Sequence, residues 1–477
     1  MTAVLGEYGV LVGGDVVRTG ATFEVRSPYD RSLVAVVHNA GAAEIERAIA
    51  GAAAAFAATR ALPAWKRSGI LDAVATALAA RREEFARTIA LEAGKPIRTA
   101  RLEVDRAAFT FKVGAEEARR IHGEILPLDW LPGTENREGH IRRVPLGPVA
   151  GITPFNFPLL LVAHKAAPAM AAGNPILVRP GPRTPVSALA LGQLILEAGW
   201  PKDGLAVFPC SIEDTARLVE DERIKLLSFT GSAPVGWSLK ARAGRKRVTL
   251  ELGGNAAVIV HADADAAYAA ERVVFGGFSY AGQSCISAQR IYVHDAIYDA
   301  FAADVVRRAN LLVAGDPLRE ETDLGPVIDG AAADRIGAWI GEATGAGGRV
   351  LAGGTREGAV WRPTVIEAAP QNARVNCAEV FAPLVSLTRY HDVHQAIADA
   401  NRGDFGLQAG IFTHDERIIH AAIEQIDAGG IMINDTSTFR VDHMPYGGVK
   451  QSGFGREGVR YAIEEMTEMK LVVYNRR

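Results

Sequence analysis

A cysteine, a glutamate and an asparagine lie in sequence surroundings that indicate chemistry. Cys285 lies in YAGQSCISAQR, between a glycine-containing stretch and a strand-like run, and it is one of 3 cysteines in 477 residues. Glu251 ends the apolar run VTLEL, where a carboxylate is seldom found unless it is paired or functional. Asn156 lies in ITPFNFPLLL between Pro154 and Pro158. These prolines stiffen the turn, so that the amide can aim an N–H at a developing negative charge.

Each of these residues also has an ordinary structural interpretation. A cysteine is most often a small buried hydrophobe, a strand-end glutamate can be salt-bridged, and an asparagine can cap a turn. Lys165, taken alone, is expected to be solvated. The segment SFTGSAPVG lacks the GxGxxG spacing between Gly231 and Gly236, but its Gly-Ser turn delivers a helix N-terminus that suits a pyrophosphate. Together, a thiol, an amide donor, a carboxylate base and this turn indicate acyl chemistry on a cysteine coupled to a nucleotide.

The elements that must position these residues belong to the α/β class. Strand-like runs alternate with segments of helical period, which predicts a parallel sheet covered on both faces; the strands are 149–152, 175–179, 205–209, 225–231 and 248–252, and the helices are 163–172, 186–197, 212–220 and 235–243. Long helices are predicted before this sheet, over 41–58, 63–93 and 98–121. A second α/β region is predicted after it, with helices over 264–283 and 295–312 and strands at 290–294, 348–352 and 385–390. Segments 140–144 and 470–474 fit neither sheet and are expected to pair with each other or with another subunit.

The composition excludes several classes of protein. Charged residues make up 22% of the chain and the formal net charge is −3, which gives no electrostatic case for binding nucleic acid or an anionic membrane. The N-terminus lacks the pattern of a signal peptide, and no apolar run reaches the length of a membrane span. The cysteines are far apart and show no metal-ligand spacing, which fits a reducing cytoplasm. Cys210 and Cys377 are predicted to be buried structural residues.

In order and over nearly its full length, the chain resembles the aldehyde dehydrogenase superfamily. PFNFP is similar to the family's asparagine motif, AGNPILVRP to its adenosine-ribose segment and FTGSAPVG to its pyrophosphate turn. ELGGN, AGQSC, EVFAP and PYGGVKQSGFGREG resemble its glutamate, nucleophile, second ribose and C-terminal motifs. The resemblance implies a Rossmann-type dinucleotide-binding domain (1–122 and 145–253), an α/β catalytic domain (254–465) and a small β oligomerisation arm (123–144 and 466–477). Subunits would pair through the arm into a homodimer or homotetramer.

The resemblance also implies a mechanism. Cys285 would attack the aldehyde carbonyl, and Asn156 with the Cys285 backbone N–H would stabilise the oxyanion. Hydride would pass to NAD+ or NADP+, and Glu251 would activate the water that hydrolyses the thioester to the acid. Lys165 matches the family lysine beside this centre, and no metal is implied. Two alternatives stay open, a CoA-acylating aldehyde dehydrogenase and a non-redox cysteine acyl hydrolase.

The resemblance assigns the dinucleotide to Thr153, Pro154, Phe155, Arg179, Pro182, Gly231, Ser232, Gly236, Leu252, Glu379 and Phe381. The adenosine-ribose segment departs from the family, since it reads Arg-Pro-Gly-Pro at 179–182 where Lys-Pro-Ser-Glu is usual. Pro182 cannot accept hydrogen bonds from ribose hydroxyls or repel a 2′-phosphate. Arg179 and Arg183 are good phosphate partners. We therefore expect NADP+ to be accepted alongside NAD+.

By the same match, the substrate pocket is lined by Phe157, Leu160, Leu161, His164, Phe275, Ser284, Ile286, Thr438, Phe439, Arg440, His443 and Tyr446. Most are apolar or aromatic, which favours a small or medium uncharged aldehyde. Arg440 and His443 could contact a carboxylate, phosphonate or sulfonate on the substrate; alternatively, Arg440 pairs with Asp442 or another acidic neighbour. EARRIHGEILPLD and DHMPYGG look most like the lactaldehyde and phosphonoacetaldehyde dehydrogenase branch. That branch often has Asn in place of Leu160, so the substrate is not carried over.

Overall fold

Two mostly parallel sheets and a smaller antiparallel sheet organise residues 5–476, which a computed structural model describes. Residues 1–4 and 477 belong to the predicted dinucleotide-binding domain and arm, and they lie outside the described residues. The sheets confirm the predicted α/β class, with a Rossmann-type sheet, a second α/β sheet and a β arm.

The first sheet has the strand order of a dinucleotide-binding fold. Its central parallel strands are, from one side to the other, Arg247–Glu251, Leu226–Thr230, Val149–Ile152, Ile176–Arg179 and Leu205–Val207, with Gly453–Phe454, Val10–Val12 and Asp15–Val17 at the edges. The chain order therefore reverses between Val149–Ile152 and Leu226–Thr230. Ligands of open α/β sheets bind at the carboxyl ends of the strands at such a point. Asn156 and Gly231 follow these two strands.

Helices cover both faces of this sheet, because its strands are buried and nearly continuous in apolar residues. The helices are Ala42–Ala61, Ala64–Ala80, Arg82–Ala93, Ile97–Glu117, Leu160–Ala172, Val186–Glu197, Ile212–Glu220 and Ala233–Arg242. The predicted single helix over 63–93 is wrong, since the backbone leaves the helical conformation at Arg81. An N-terminal sheet of Gly6–Tyr8, Leu33–His38 and Thr22–Arg26 was not predicted.

The second sheet follows Glu251. Its strands are, across the sheet, Arg349–Ala352, Thr364–Glu367, Leu384–Tyr390, Ala288–His294, Ala256–Val260, Gln408–Phe412 and Gly430–Ile433. Its helices are Ala266–Phe278, Tyr298–Leu311, Gly330–Gly345, Arg374–Cys377, Val393–Asn401 and Glu416–Gln425, and the short strands Arg356–Glu357, Val360–Trp361, Phe405–Gly406 and Val449–Lys450 flank it. The last helix, Val459–Glu465, packs instead against Ile97–Glu117 and Leu160–Ala172 beside the first sheet.

The turn before Cys285 differs from the prediction. A helix was expected over 264–283, but it ends at Phe278, and Tyr280, Ala281 and Gly282 have φ values of 49°, 52° and 67°. The left-handed conformation costs roughly 1–2 kcal/mol for a residue with a Cβ. A glycine-containing run at helical period does not reveal such a turn. Because the helix ends at Phe278 and the left-handed turn follows, Cys285 lies on a short irregular loop.

The structure confirms that segments 140–144 and 470–474 pair with each other, which was one of the two expected pairings. Arg137–Pro145 and Thr467–Asn475 pair antiparallel with each other, and Glu124–Pro127 adds a third strand. Met469, Leu471 and Val473 are exposed on this sheet, and exposed apolar patches mark interaction surfaces. Assembly into a dimer or tetramer stays a prediction. Within residues 5–476, none of the helices combines the length and apolar character needed to cross a membrane.

The two remaining cysteines, Cys210 and Cys377, differ in their exposure to solvent. Cys210 is 3% exposed, which confirms that it is buried, as predicted. The same prediction for Cys377 is wrong, because its side chain is exposed. Arg374–Cys377 is a single helical turn that buries Val375 and Asn376, and its last residue therefore points outward.

Candidate active site

The three residues singled out by their chemistry line one cavity of about 310 Å³ at the carboxyl end of the first sheet. The other predicted residues on its wall are Pro154, Phe155, Phe157, Leu160, Leu161, Gly231, Ser232, Leu252, Ser284, Ile286, Glu379, Phe381, Arg440 and Tyr446. Its wall also contains residues that were not predicted, namely Arg106, Thr230, Gly253, Arg335 and Glu457. Residues predicted to bind the substrate and residues predicted to bind the dinucleotide thus line the same cavity.

Ten predicted site residues do not line this cavity: Thr153, His164, Lys165, Arg179, Pro182, Gly236, Phe275, Thr438, Phe439 and His443. His164 and Lys165 lie directly behind the wall, where they bind Glu457. Phe275 and Phe439 are exposed, and His443 packs edge-on against Phe109. A residue that is a sequence neighbour of a cavity-lining residue therefore need not line the cavity itself.

Cys285 is held as a thiol. Its Sγ lies 2.9 Å from the Tyr446 hydroxyl. Burial raises the pKa of the Cys285 thiol to about 11, and the Tyr446 hydrogen bond and the Arg440 charge oppose that rise. Burial also raises the pKa of Tyr446 well above its ordinary value, so this hydroxyl keeps its proton and can donate to a thiolate. The thiolate therefore has a donor and a cation ready when it forms.

Asn156 is tied to the loop that carries the cysteine. Its Nδ2 donates to the Gln283 carbonyl at 2.9 Å. The Gln283 side chain is fixed in turn, since Nε2 donates to the Pro326 carbonyl and Oε1 accepts from the Ile328 N–H. The second amide N–H of Asn156 and the backbone N–H of Cys285 have no acceptor among residues 5–476. Two donors are therefore free near the thiol, as an oxyanion hole requires.

Glu251 ends its strand inside the cavity with no partner for either carboxylate oxygen among the described residues. Burial, followed by repulsion from Glu457, raises the pKa of Glu251 well above its ordinary value. A buried carboxyl without hydrogen-bond donors keeps its proton at neutral pH. Such a group is poised to exchange a proton with water as a general acid or base.

Glu457, which was not predicted, organises the charges beneath the cavity. It accepts from Lys165 at 3.2 Å and from Arg440 at 3.0 Å. Burial alone would raise the pKa of Glu457, but Lys165, His164 and Arg440 hold it well below its ordinary value. Lys165 also donates to the hydroxyls of Ser228 and Thr230. Glu457 lies within PYGGVKQSGFGREG, and a carboxylate inside a matched motif was the signal available for it.

His164 connects Glu457 to a second set of ionic residues, Asp442 and Arg106. A terminal nitrogen of Arg440 lies 2.8 Å from His164 Nδ1, and His164 Nε2 lies 3.0 Å from Asp442. Arg106 donates to both carboxylate oxygens of Asp442 through Nε and one terminal nitrogen. Arg440 thus pairs with an acidic neighbour, as one alternative proposed, but that neighbour is Glu457 and not Asp442.

This network has an excess of positive charge. Lys165, Arg106 and Arg440 are cations, whereas only Glu457 and Asp442 are anions while Glu251 keeps its proton. Arg440 Nε is buried and has no acceptor among the described residues, and the second terminal nitrogen of Arg106 is also unpaired there. Buried charges are normally paired. An anion in the cavity would complete the network.

The residues predicted to hold the dinucleotide fit that group. The helix Ala233–Arg242 begins at Ser232 without a side-chain cap, so its first N–H groups are free for a pyrophosphate. A Cβ on Gly236 would lie 2.4 Å from Leu252, so glycine allows the helix to approach the sheet. The Thr153 hydroxyl is buried without a partner among residues 5–476.

The far side of the cavity suits a ribose and a flat ring. Glu379 accepts from the Gly254 N–H at 3.0 Å, and burial raises the pKa of Glu379 to about 7. Phe155 and Phe381 meet edge to face at 5.9 Å. Glu379, Phe155 and Phe381 all line the cavity, where the carboxyl could accept from a ribose hydroxyl and the rings could pack against a flat ring.

Replacing Tyr446 with phenylalanine tests the environment of the thiol. The change removes a donor to the thiolate, and a hydrogen bond to a charged group contributes about 1.5–3 kcal/mol. We expect the pKa of Cys285 to rise and its alkylation by iodoacetamide to slow about tenfold between about pH 7 and pH 10. The rate is measured in a Cys377→Ser background, because Cys377 is exposed. Tyr474→Phe on the arm is the control, and equal rates in both tyrosine variants would contradict this account.

Comparison with known proteins shows the family of this chain. A model of the aldehyde dehydrogenase family matches residues 16–472. The chain is 43% identical over 470 residues to 3-sulfolactaldehyde dehydrogenase of Priestia aryabhattai, covering 98% of each protein. It is 37% identical to lactaldehyde dehydrogenase of Methanococcus aeolicus, covering 95% of this chain and 97% of that protein. The similarity to the lactaldehyde dehydrogenase branch is thus confirmed.

Two solved structures share the fold over almost the whole chain. Aldehyde dehydrogenase 21 of Physcomitrella patens, in complex with its reaction product succinate, has a TM-score of 0.98 and 43% identity, covering 99% of each chain. Glyceraldehyde-3-phosphate dehydrogenase of Methanocaldococcus jannaschii, complexed with NADP, has a TM-score of 0.92 and 37% identity, covering 96% of this chain and 100% of that chain. The chain belongs to the aldehyde dehydrogenase family and is an NAD(P)-dependent enzyme that oxidises aldehydes.

Proposed function

We propose that this enzyme oxidises short aldehydes that carry an anionic group, through a thioester on Cys285. The observation that carries the proposal is the excess positive charge at the cavity, where Arg440 Nε and one terminal nitrogen of Arg106 have no acceptor among the described residues. A carboxylate, sulfonate or phosphonate on the substrate supplies the missing anion. Two similar proteins are named for sulfolactaldehyde, an aldehyde with a sulfonate, and for the product succinate, which has a second carboxylate.

The catalytic steps follow from the geometry. The Cys285 thiol gives its proton to solvent, and the thiolate attacks the aldehyde carbonyl. The carbonyl oxygen becomes an oxyanion, and the free N–H groups of Asn156 and Cys285 stabilise it. Such donors contribute about 3–4 kcal/mol each in related sites. When bound, the dinucleotide supplies the hydride acceptor. The Glu251 carboxyl first releases its own proton to solvent. Its carboxylate then takes a proton from the water that attacks the thioester and passes it to Cys285 as the acid leaves.

Glu251→Gln separates the two halves of this reaction. The substituted amide cannot accept a proton, so we expect one equivalent of NAD(P)H per active site in a burst, followed by turnover slowed about 100-fold or more. Cys285→Ala is expected to abolish both phases, whereas the matched Cys377→Ser is expected to leave both unchanged. Stopped-flow absorbance measures the phases, and mass spectrometry identifies the product.

The product of the wild-type enzyme decides between the alternatives. Free acid, formed at the same rate with and without CoA, is expected because Glu251 lies in the cavity. An acyl-CoA product would instead support the CoA-acylating alternative. Hydrolysis of an activated ester without any aldehyde oxidation would support a non-redox acyl hydrolase.

Arg106 offers the cleaner test of substrate charge, because it is about one-third exposed and less embedded than Arg440. With Arg106→Gln, we expect kcat/KM for 4-oxobutanoate to fall about 10- to 100-fold, since a charge-assisted hydrogen bond contributes about 1.5–3 kcal/mol. For uncharged butanal, kcat/KM is expected to stay within about threefold.

Arg101→Gln, which removes surface ion pairs on the same helix, is the matched control. Equal losses on both aldehydes in Arg106→Gln would contradict recognition of the anionic group. A wild-type preference for butanal over 4-oxobutanoate would contradict it as well.

We also propose that NADP+ is accepted, as the departure at Pro182 predicts. The buried Arg179 Nε has no acceptor among residues 5–476, while one of its terminal nitrogens donates to the Cys210 carbonyl. Arg183 is paired with Asp329 at 2.7 Å and is less available. Arg179 is therefore the better partner for a 2′-phosphate.

The ratio of kcat/KM for the two dinucleotides tests this preference. We expect the wild-type ratio to lie within about 100-fold, equivalent to roughly 2.7 kcal/mol. Arg179→Gln is expected to lower kcat/KM for NADP+ selectively, and Arg183→Gln serves as the matched control. A wild-type ratio above about 100 in favour of NAD+ would overturn the proposal.

A further inference from the structure

A buried ion pair outside the cavity touches both loops that form the active site. Lys95 is 0% exposed, and its ammonium group donates to the Glu103 carboxylate. It lies 3.6 Å from the ring centre of Phe157 and 4.3 Å from that of Tyr280. Phe157 directly follows Asn156, and Tyr280 begins the left-handed turn that leads to Cys285.

The ammonium is suited to bridge these two rings. A cation over an aromatic face contributes about 2 kcal/mol or more where water is excluded. The two rings also meet edge to face, with centres 5.9 Å apart. Burial lowers the pKa of Lys95 to about 8, and the neighbouring Glu103 carboxylate opposes that fall. The pair thus keeps a positive charge between two neutral rings.

The other oxygen of Glu103 fixes the first loop from below. It accepts the backbone N–H groups of Leu159 and Leu160 at 3.0 and 3.2 Å. These groups begin the helix Leu160–Ala172, which also carries Lys165 and His164. The asparagine loop is therefore held both by its backbone, through Glu103, and by its Phe157 ring, through Lys95.

The cysteine loop needs such support because its backbone is strained. Tyr280 and Ala281 adopt the left-handed conformation, and each such residue costs of order 1–3 kcal/mol unless its surroundings enforce it. The Tyr280 hydroxyl donates to the Ala93 carbonyl at 3.0 Å, two residues before Lys95. A Cβ on Gly94 would lie 2.6 Å from Pro326, and Pro326 also accepts from Gln283. Segment 93–95 thus contacts the cysteine loop at several points.

We infer that Lys95 is a positioning residue that sets the distance between the Asn156 amide and the Cys285 thiol by clamping Phe157 and Tyr280 together. Lys95 does not line the cavity itself and acts through the two rings, of which Phe157 is on the cavity wall. This inference rests on the proposed role of Cys285 as the nucleophile. Misplacing reacting groups by about 1 Å can lower a rate about 100-fold.

The test removes the charge without leaving its partner unpaired. In Lys95→Met with Glu103→Gln, no lone buried charge remains, and the amide that replaces the Glu103 carboxylate keeps an oxygen for the two N–H groups of the helix. We expect the single-turnover rate of NAD(P)H formation to fall about 100-fold, while the Kd for the dinucleotide changes less than about twofold. Lys95→Arg retains a cation between the rings and is expected to recover the rate to within about tenfold of wild type.

Glu92→Gln is the matched control. Glu92 is a buried carboxyl that accepts the N–H groups of Val186 and Ser187 at the start of another helix, and it makes no hydrogen bond to either loop among the described residues. It is expected to lower the Tm and to leave the single-turnover rate unchanged. A folded double variant with the wild-type rate would overturn the inference, as would an equal loss of rate in Glu92→Gln.

Tyr280→Leu provides a second test should the double variant fail to fold. It leaves the ion pair intact and removes one ring, so the same loss of rate is expected; a wild-type rate would overturn the inference. Cys285→Ala is measured alongside. An inactive Cys285→Ala beside a fully active Tyr280→Leu would defeat only the role of Lys95, whereas an active Cys285→Ala would defeat the proposed mechanism itself.

Discussion

The hydrogen bond from the Asn156 amide to the Gln283 carbonyl joins the two halves of the active site. Asn156 follows a strand of the first sheet, and Gln283 precedes the cysteine on the loop that leads into the second sheet. Neither sheet alone contains both an oxyanion donor and a nucleophile. The spacing between these two loops therefore decides whether the cavity can perform acyl chemistry.

Exclusion of water determines the protonation states around that bond. Burial keeps a proton on Cys285 and on Glu251, because each charged form would lose its hydration. The charged side chains lie on one side of the cavity, where the Glu457 carboxylate pairs with both Lys165 and Arg440. An incoming anionic substrate would both balance these cations and bring its carbonyl to the thiol. One electrostatic arrangement thus serves substrate selection and activation of the nucleophile.

The sequence predicted the parts that depend on local pattern. The parallel strands of the first sheet, the pairing within the arm, and the position of Cys285, Glu251 and Asn156 on one cavity all followed from short apolar runs and matched motifs. The left-handed turn at Tyr280 was missed, since helical periodicity carries no information on the sign of φ. Arg106 and Glu457 were missed because charged residues on helices or in glycine-rich segments are usually solvated, and only tertiary packing brings them to the cavity wall. Cys377 was assigned to the interior because cysteines are usually buried. The sequence cannot show which way the single helical turn that ends at Cys377 faces, and the side chain is in fact exposed.

The central claim is that Cys285 carries the acyl group and that Glu251 is needed to release it. Intact-protein mass spectrometry of Glu251→Gln, quenched after mixing with aldehyde and dinucleotide, tests it most directly. The account predicts an adduct equal to the aldehyde mass less two hydrogen atoms, mapped to the peptide that contains Cys285 and removed by hydroxylamine. An active burst with no adduct, or an adduct on another residue, would contradict it.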